Sequence, residues 1–465
     1  MTGLLFVLVG AFLSIFDQFV INVSAYQIGR DLGASSVQLE AVISGYAFVY
    51  GLGLITGGRI GDRFGRRRVY RTGLMMFAMT SLCCGLAGTA TQMVAARLGQ
   101  GLSGAVMVPQ VLALIRVNYL GEERTRALSW FGISLGLGQV MGQVFGGMIP
   151  SLDVLGLGWR PIFLINVPVC LLAWLGCGRW LVHDQGAPAV RMDTLGVILF
   201  AASVVLLFVP LLDPTRLERF PAGVVLLAAG GTFIGLFIYH EHAAAVRGSV
   251  PLIPYRLFKS SGFVLGVFLN AALYIGIIPF FFLLGLYFQS IVHLTSWQSG
   301  LFFVPIGIGF VVASVLGPGI MRAISAPLVL VAGSATSAAG LGIVMVLVSL
   351  GAARGWAFLA PLFVFGFGNG SILPIVTGVV LRHLPVRDAG AGSAILTTAQ
   401  QLFGAVGVAI TGSMISNAGT LGATPSDYVE ALFFQEISIL AALAFAAMLL
   451  RSQSRSRDPV DGGTG

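Results

Sequence analysis

Stretches of about twenty consecutive apolar residues recur from one end of this chain to the other, each followed by a short run rich in glycine, arginine or other polar residues. The stretches lack the one-sided 3.6-residue stripe of a helix on a soluble core and the alternation of a half-buried strand. They are apolar nearly all round. Twenty helical residues cross the ~30 Å hydrocarbon layer of a bilayer. Lipid offers backbone N–H and C=O groups no partner, so each stretch is predicted to be a membrane-spanning α-helix. Fourteen spans are predicted: 4–24, 38–57, 69–90, 93–115, 127–149, 161–182, 194–212, 220–239, 262–289, 299–320, 326–349, 356–381, 392–416 and 431–450. The first contains Asp17 and has neither a preceding basic residue nor a small-residue cleavage site, so it is expected to be a retained helix rather than a signal peptide.

Composition supports this and adds an orientation. Of 465 residues, 57% are hydrophobic and 9% charged, and the mean hydropathy is +0.93. That leaves too little polar surface to coat a soluble globule. An even number of spans puts both termini on one side. Of the 26 Lys and Arg residues, Arg30, Arg160, Arg216, Arg219 and Arg354 fall on the other side and Arg97 inside a span, leaving 20 on the side of the termini. Basic residues resist translocation, so that side is expected to be the cytoplasm. The expected location is the plasma (inner) membrane, with both termini cytoplasmic. A single lysine among those 26 suggests a high-GC bacterial genome. Topology and anionic lipid headgroups account for the net charge of +8, without nucleic acid. Cys83, Cys84, Cys170 and Cys177 fall within spans and are expected to pack as small apolar residues.

A charge at the bilayer centre costs about 2.5–3.5 kcal/mol on insertion scales, so charged residues inside spans face a bundle interior or a wet cavity. Asp17 is the most deeply set acid. At ~100° per residue, Ser14, Asp17, Gln18, Asn22 and Ser24 share an arc of about 160° on the first helix. Two roles are open for Asp17: binding a proton or substrate, or a structural pairing with an arginine. Arg97 is the deepest base, open to a structural hydrogen-bonding role or to a part in coupling. Gln139 and Gln143 lie one turn apart, and Thr397, Gln400 and Gln401 share one face of span thirteen. Together with Gln18, Asn22 and Gln100 they are candidates to line a substrate cavity, with structural hydrogen bonding between helices the open alternative for the two sets on the fifth and thirteenth spans. Gly138, Gly142 and Gly146, with Gly147 beside them, let helix backbones approach closely. Glu436 in span fourteen is a further buried acid without an evident partner.

The stretch GGRIGDRFGRRRVYRTG, residues 57–73, sets six arginines around one aspartate in the hairpin between spans two and three. Positive-inside bias does not demand the pattern made by Gly58, Asp62, Arg63, Gly65, Arg66 and Arg67, G-x-x-x-D-R-x-G-R-R. Its glycines permit a tight turn, and its carboxylate suits a positive helix start and can pair with Arg66. Here the chain resembles the major facilitator superfamily. RLGQG, from Arg97, resembles that superfamily's fourth-helix motif. GLGQVMGQVFGG, from Gly136, resembles the fifth-helix motif of its exporters, with Gln143 where a proline is usual. FDQFVIN from Phe16, GWRPIFLINVPV from Gly158 and PLIPYRLF from Pro251 resemble its fourteen-span drug:proton antiporter branch. The continuation VSAYQ departs from that branch's Ala-Leu-Pro.

The resemblance implies an all-α integral membrane protein with the major facilitator fold, two six-helix bundles plus an inserted helix pair. The bundles are expected at 1–183 and 244–452 and the pair at 184–243, with 453–465 a disordered cytoplasmic tail. GQGLSGAVMVP, from Gly99, is echoed by GFGNGSILP, from Gly366, as expected of related halves. Val364 stands where Arg97 would recur, so the intramembrane charge belongs to one half. Proton coupling is then expected at Asp17 and Arg97, and conformational switching at the arginine hairpin.

HEH, residues 240–242, is read as a solvated helix end rather than a metal site, because positions i and i+2 of a helix diverge. No metalloprotease, nucleophile-elbow or phosphate-loop pattern is present, so energy is expected from an ion gradient. One charge falling through ~150 mV releases about 3.5 kcal/mol. The sequence therefore predicts a proton-coupled exporter of small amphipathic organic compounds such as drugs or antibiotics, not an enzyme. No cofactor, metal, nucleic acid or obligate protein partner is expected; anionic headgroups would meet the arginine hairpin. An importer working by symport, and a non-transporting membrane protein or membrane-embedded enzyme, are the alternatives.

Overall fold

The computed structural model describes residues 2–181, 186, 193–212, 222–247, 252–351, 355–385, 388–416 and 423–455. Among these the ordered structure is helical throughout, with no strand. The first six long helices are α1 (Thr2–Asp31), α2 (Ser36–Phe64), α3 (Arg66–Gly85), α4 (Ala90–Asn118), α5 (Gly121–Leu152) and α6 (Pro161–Trp180, interrupted at Ile165). Then come α7 (Thr194–Leu212) and α8 (Ala222–Val246). The last six are α9 (Ser261–Ser290), α10 (Ser296–Met321, interrupted at Phe303), α11 (Ala326–Ser349), α12 (Leu359–Leu381), α13 (Ala389–Ser416) and α14 (Pro425–Arg455).

Twelve of these are long and apolar enough to cross a membrane on composition alone. The other two are α3, which opens on Arg66, Arg67, Arg68 and Arg71, and α5, where glutamines and glycines dilute the apolar run. Of the expected tail, residues 453–455 continue α14 and 456–465 lie outside the described residues, as do Arg216, Arg219, Pro251 and Arg354.

Local chemistry sets the helix starts. Ser35 caps α2 by accepting from the Gln38 N–H at 3.2 Å while the Gln38 side chain accepts from the Ser35 N–H at 3.0 Å. Thr295 and Gln298 repeat this reciprocal box at the start of α10. Each box satisfies two backbone donors that a helix otherwise leaves open. Between α2 and α3, Gly65 adopts φ +92°, a conformation that only glycine takes without strain.

α1 to α6 pack on one another, and α9 to α14 form a second group. α7 and α8 pair with each other, and α7 leans on the seam between α2 and α13, where Phe48 and Phe208 stack at 4.1 Å. α5 runs along α1 because Gly138, Gly142 and Gly146 have no side chain: a Cβ at any of them would fall within 3 Å of the Phe12, Phe16 or Val20 carbonyl oxygen. Gly147 instead faces Ser296 and Gly300 of α10.

The groups meet from the face opposite the termini down to the midplane. Gln289 donates to the Val23 carbonyl at 2.8 Å, Phe19 and Phe281 meet edge to face at 5.1 Å, and Gln18 donates to Gln401 at 3.1 Å. Among the described residues, α3, α4 and α6, like α11, α12 and α14, pack chiefly within their own group.

Candidate functional site

Five helices converge on Asp17. α1 carries it, α4 brings Arg97 and Gln100, α3 brings Ser81, α6 brings Asn166 and α2 brings a backbone carbonyl and a tyrosine ring. Asp17 and Arg97 form an ion pair through Oδ2 and Nη1, both side chains fully buried. Asp17 Oδ1 accepts from Gln100 at 2.8 Å and from Asn166 at 3.1 Å. Both amides also donate to Ser81, at 2.8 and 3.3 Å. Arg97 donates further to the Val42 carbonyl at 3.1 Å and to Gln100 Oε1 at 2.6 Å, and its guanidinium lies 4.5 Å from the centre of the Tyr46 ring. Arg97 Nη2 is buried with no hydrogen-bond partner among the described residues. A buried ion pair persists only where further hydrogen bonds satisfy its remaining atoms, and here all but one are met. The sequence singles out Asp17, Arg97 and Gln100; it gives little sign of Ser81, Asn166 or Tyr46, uncharged residues within apolar runs.

A small cavity of about 10 Å³, room for about one water molecule, lies beside this cluster, between α1 and α2 of one group and α9 and α13 of the other. Gln18, Asn22 and Ser44 supply its polar lining, Phe19, Ile278 and Val408 part of its apolar wall, and the remainder is aliphatic. Of the residues expected along a substrate cavity, Gln18 and Asn22 line this one. Gln100 does not, because the Asp17–Arg97 pair engages its amide. Gln401 reaches the edge through Gln18, Gln400 donates to Asn270 at 3.1 Å, and Thr397 bonds its own helix at Ser393. Gln143, 2% exposed, is enclosed where α5 meets α10, its amide without a hydrogen-bond partner among the described residues. Gln139 is half-buried on α5, and Glu436 half-buried on α14 near Gly342.

At the hairpin, Asp62 lies in the last turn of α2, not at the start of α3 as its carboxylate suggested, because α2 continues to Phe64. Arg66 still grips it at 2.8 and 3.2 Å. Arg67 donates to the Gly178 carbonyl of α6, and Arg71 lies 4.0 Å from the centre of the Trp174 ring. Gly58 has no tight neighbour; its nearest would be the Pro109 Cβ at 3.9 Å. The close approach to α4 falls instead at Gly53, Gly57 and Gly61, where a Cβ would strike Ala105 or Gln110. Their spacing of four repeats that of Gly138, Gly142 and Gly146, a signal present in the sequence.

The reading of HEH as a solvated end does not hold. Glu241 is 5% exposed, its carboxylate accepting from the Leu252 and Ile253 N–H groups at 3.1 and 2.7 Å. His240 bonds Asp193 at 2.8 Å, while His242 turns to the Tyr255 ring. Burial alone would push Asp193 up, but the Gly196 N–H and the His240 side chain hold its carboxyl below the ordinary carboxylate range. Asp193, His240 and Glu241 each offer a ligand atom within 4.8 Å of the others, a spacing that a divalent ion can bridge. Together they tie α7, α8 and the segment leading to α9.

A family model described as "Major Facilitator Superfamily" matches residues 7–408. A cephamycin export protein, CmcT, of Amycolatopsis lactamdurans is 30% identical over 98% of this chain and 94% of its own. A puromycin resistance protein, pur8, of Streptomyces alboniger is 29% identical over 98% and 92%. In three dimensions the chain is similar to a D-xylose–proton symporter, with a TM-score of 0.69 at 16% identity over 96% of each chain.

Proposed function

We infer that this chain, which belongs to the major facilitator superfamily, exports small amphipathic organic compounds of the antibiotic or drug type and drives that export with protons. Its work is transport rather than catalysis, in keeping with relatives named for export and resistance. One observation carries the finer reading: α1 holds a fully buried, paired carboxylate at Asp17 and, at Gln18 and Asn22, lines the cavity between the two helix groups. A site between two related bundles is the physical basis of alternating access. In this reading Asp17 carries the proton. Protonation neutralises the carboxylate, loosens its hold on Arg97 and alters how α1 packs beside the cavity. The arginine hairpin acts on the switch between states, since it stands at the membrane surface and away from the cavity.

We read the face bearing the termini as cytoplasmic and the fourteen helices as fourteen spans, with bundles at 1–183 and 244–452 and an inserted pair at 184–243. Packing between the bundles from the opposite face to the midplane then corresponds to a state closed to the outside. The test is transport by the purified protein in liposomes under imposed pH gradients, with a panel of compounds. Accumulation on the acidic side supports antiport; accumulation with the proton flow makes the chain a symporter, and none at any gradient refutes proton coupling. Single cysteines placed near Arg67 and Arg247 should label from the cytoplasm, and one near Pro425 from outside. Labelling of Arg247 and Pro425 sites from one side would contradict fourteen spans.

A further inference from the structure

We propose that Asn22 is the recognition residue of the cavity, and that the compounds it takes present an uncharged carbonyl, hydroxyl or amide group to it rather than a cationic one. This rests on the export reading above. Asn22 is 3% exposed, lines the cavity, and has no side-chain hydrogen-bond partner among the described residues. Of the other polar lining groups, Gln18 has one N–H engaged by Gln401 at 3.1 Å and Ser44 donates to the Glu40 carbonyl at 2.6 Å, so among the described residues Asn22 is the polar lining group with no side-chain bond. A primary amide has two N–H donors and a carbonyl acceptor. Enclosed without a partner, it favours any ligand that returns those bonds and disfavours one that cannot.

Charge decides the ligand class. Asp17 is the acid nearest along α1, but it is fully buried on the Arg97 side, with Oδ2 held by Arg97 and Oδ1 by Gln100 and Asn166. The described cavity lining contains no acidic or basic side chain. A cation entering it loses hydration and finds no counter-charge, whereas a neutral polar group exchanges water for the Asn22 amide. In a state that opens this cavity, which here has room for about one water molecule, Phe19, Ile278 and Val408 supply apolar wall for the remainder of such a compound.

The experiment uses the full chain in liposomes under a pH gradient. The probes are pairs sharing one aromatic scaffold, one member ending in a primary amide and the other in a quaternary ammonium group. The amide members should accumulate and the ammonium members should not. Asn22→Leu should weaken amide-probe binding roughly tenfold to a hundredfold with unchanged melting. Asn22→Asp should reverse the preference; should that variant fail to fold, Ser44→Asp places a carboxylate on the opposite wall for the same purpose. Equal or greater transport of the ammonium members by the wild type overturns this inference and leaves export standing. So does amide-probe binding unaffected by Asn22→Leu. Transport of neither class overturns the export reading, and this inference with it.

Discussion

Asp17→Asn separates the structural and coupling roles of the buried pair. The substitution keeps the side-chain volume and an oxygen facing Gln100 and Asn166, but removes the charge opposite Arg97. Removing one partner of a buried pair costs about 3–5 kcal/mol, because the other charge remains enclosed without compensation. Arg97 retains the Val42 carbonyl, Gln100 Oε1 and the Tyr46 ring, which favours the lower end, about 3 kcal/mol. That is a large share of a net stability of about 5–15 kcal/mol, so a lowered melting temperature should be plain in detergent. Adding Arg97→Gln removes the stranded charge and should restore most of the melting temperature. It should not restore transport, since the double variant has no carboxylate to take up a proton. Accumulation in inside-out vesicles under a pH gradient should therefore be abolished in both the single and the double variant. Wild-type accumulation by the double variant would refute Asp17 as carrier and direct the same test to Glu436→Gln. A single variant that melts like the wild type would refute the electrostatic reasoning itself.

Asp62→Asn should abolish transport while leaving equilibrium binding and melting nearly intact, because an exposed pair of this kind contributes about 0–1 kcal/mol; lost binding in a folded variant would place the hairpin in the site, and Arg68→Gln should be the milder control. Gly57→Ala should destabilise the protein, since its Cβ would run into the Ala105 carbonyl, while Gly58→Ala should melt like the wild type; the reverse order would contradict the packing of α2 on α4. Asp193, held below the ordinary carboxylate range, should contribute stability in full above about pH 4 and lose it as pH falls through its lower folded value. Melting temperatures between pH 3 and 7 should therefore fall more steeply at the acidic end for the wild type than for Asp193→Asn, and parallel curves would refute this.

The helices were legible because lipid imposes one solution on every long apolar run, and the described helices lie where those runs do. Asp17 and Arg97 stood out because charge is costly in a membrane. Their neighbours did not: Ser81 and Asn166 are individually unremarkable, and only the convergence of five helices gives them a role. Gln100 was assigned to a cavity because a helical position gives the direction of a side chain, not what stands there. Gly57 and Gly61 were not singled out, because the hairpin pattern marks Gly58 for its motif and not for contact, whereas the four-residue spacing is what governs contact. His240 and Glu241 looked like a loose helix end because their partner, Asp193, lies 47 residues from His240.

The described side chains that hold the Asp17–Arg97 pair all come from α1, α2, α3, α4 and α6, whereas the cavity also borrows α9 and α13. The two helix groups thus divide this labour unevenly. Heredity then acts on them differently. On the proposed reading, changes at Ile278, Ala405 or Val408 alter the cavity wall without touching a helix that holds the charge pair, whereas changes to the lining on α1 and α2 fall on helices that do. On the export reading, a hybrid that exchanged only the second group would keep its parent's charge site and the polar lining of its cavity, Asn22 included, and would inherit from the other parent only one side of the apolar wall.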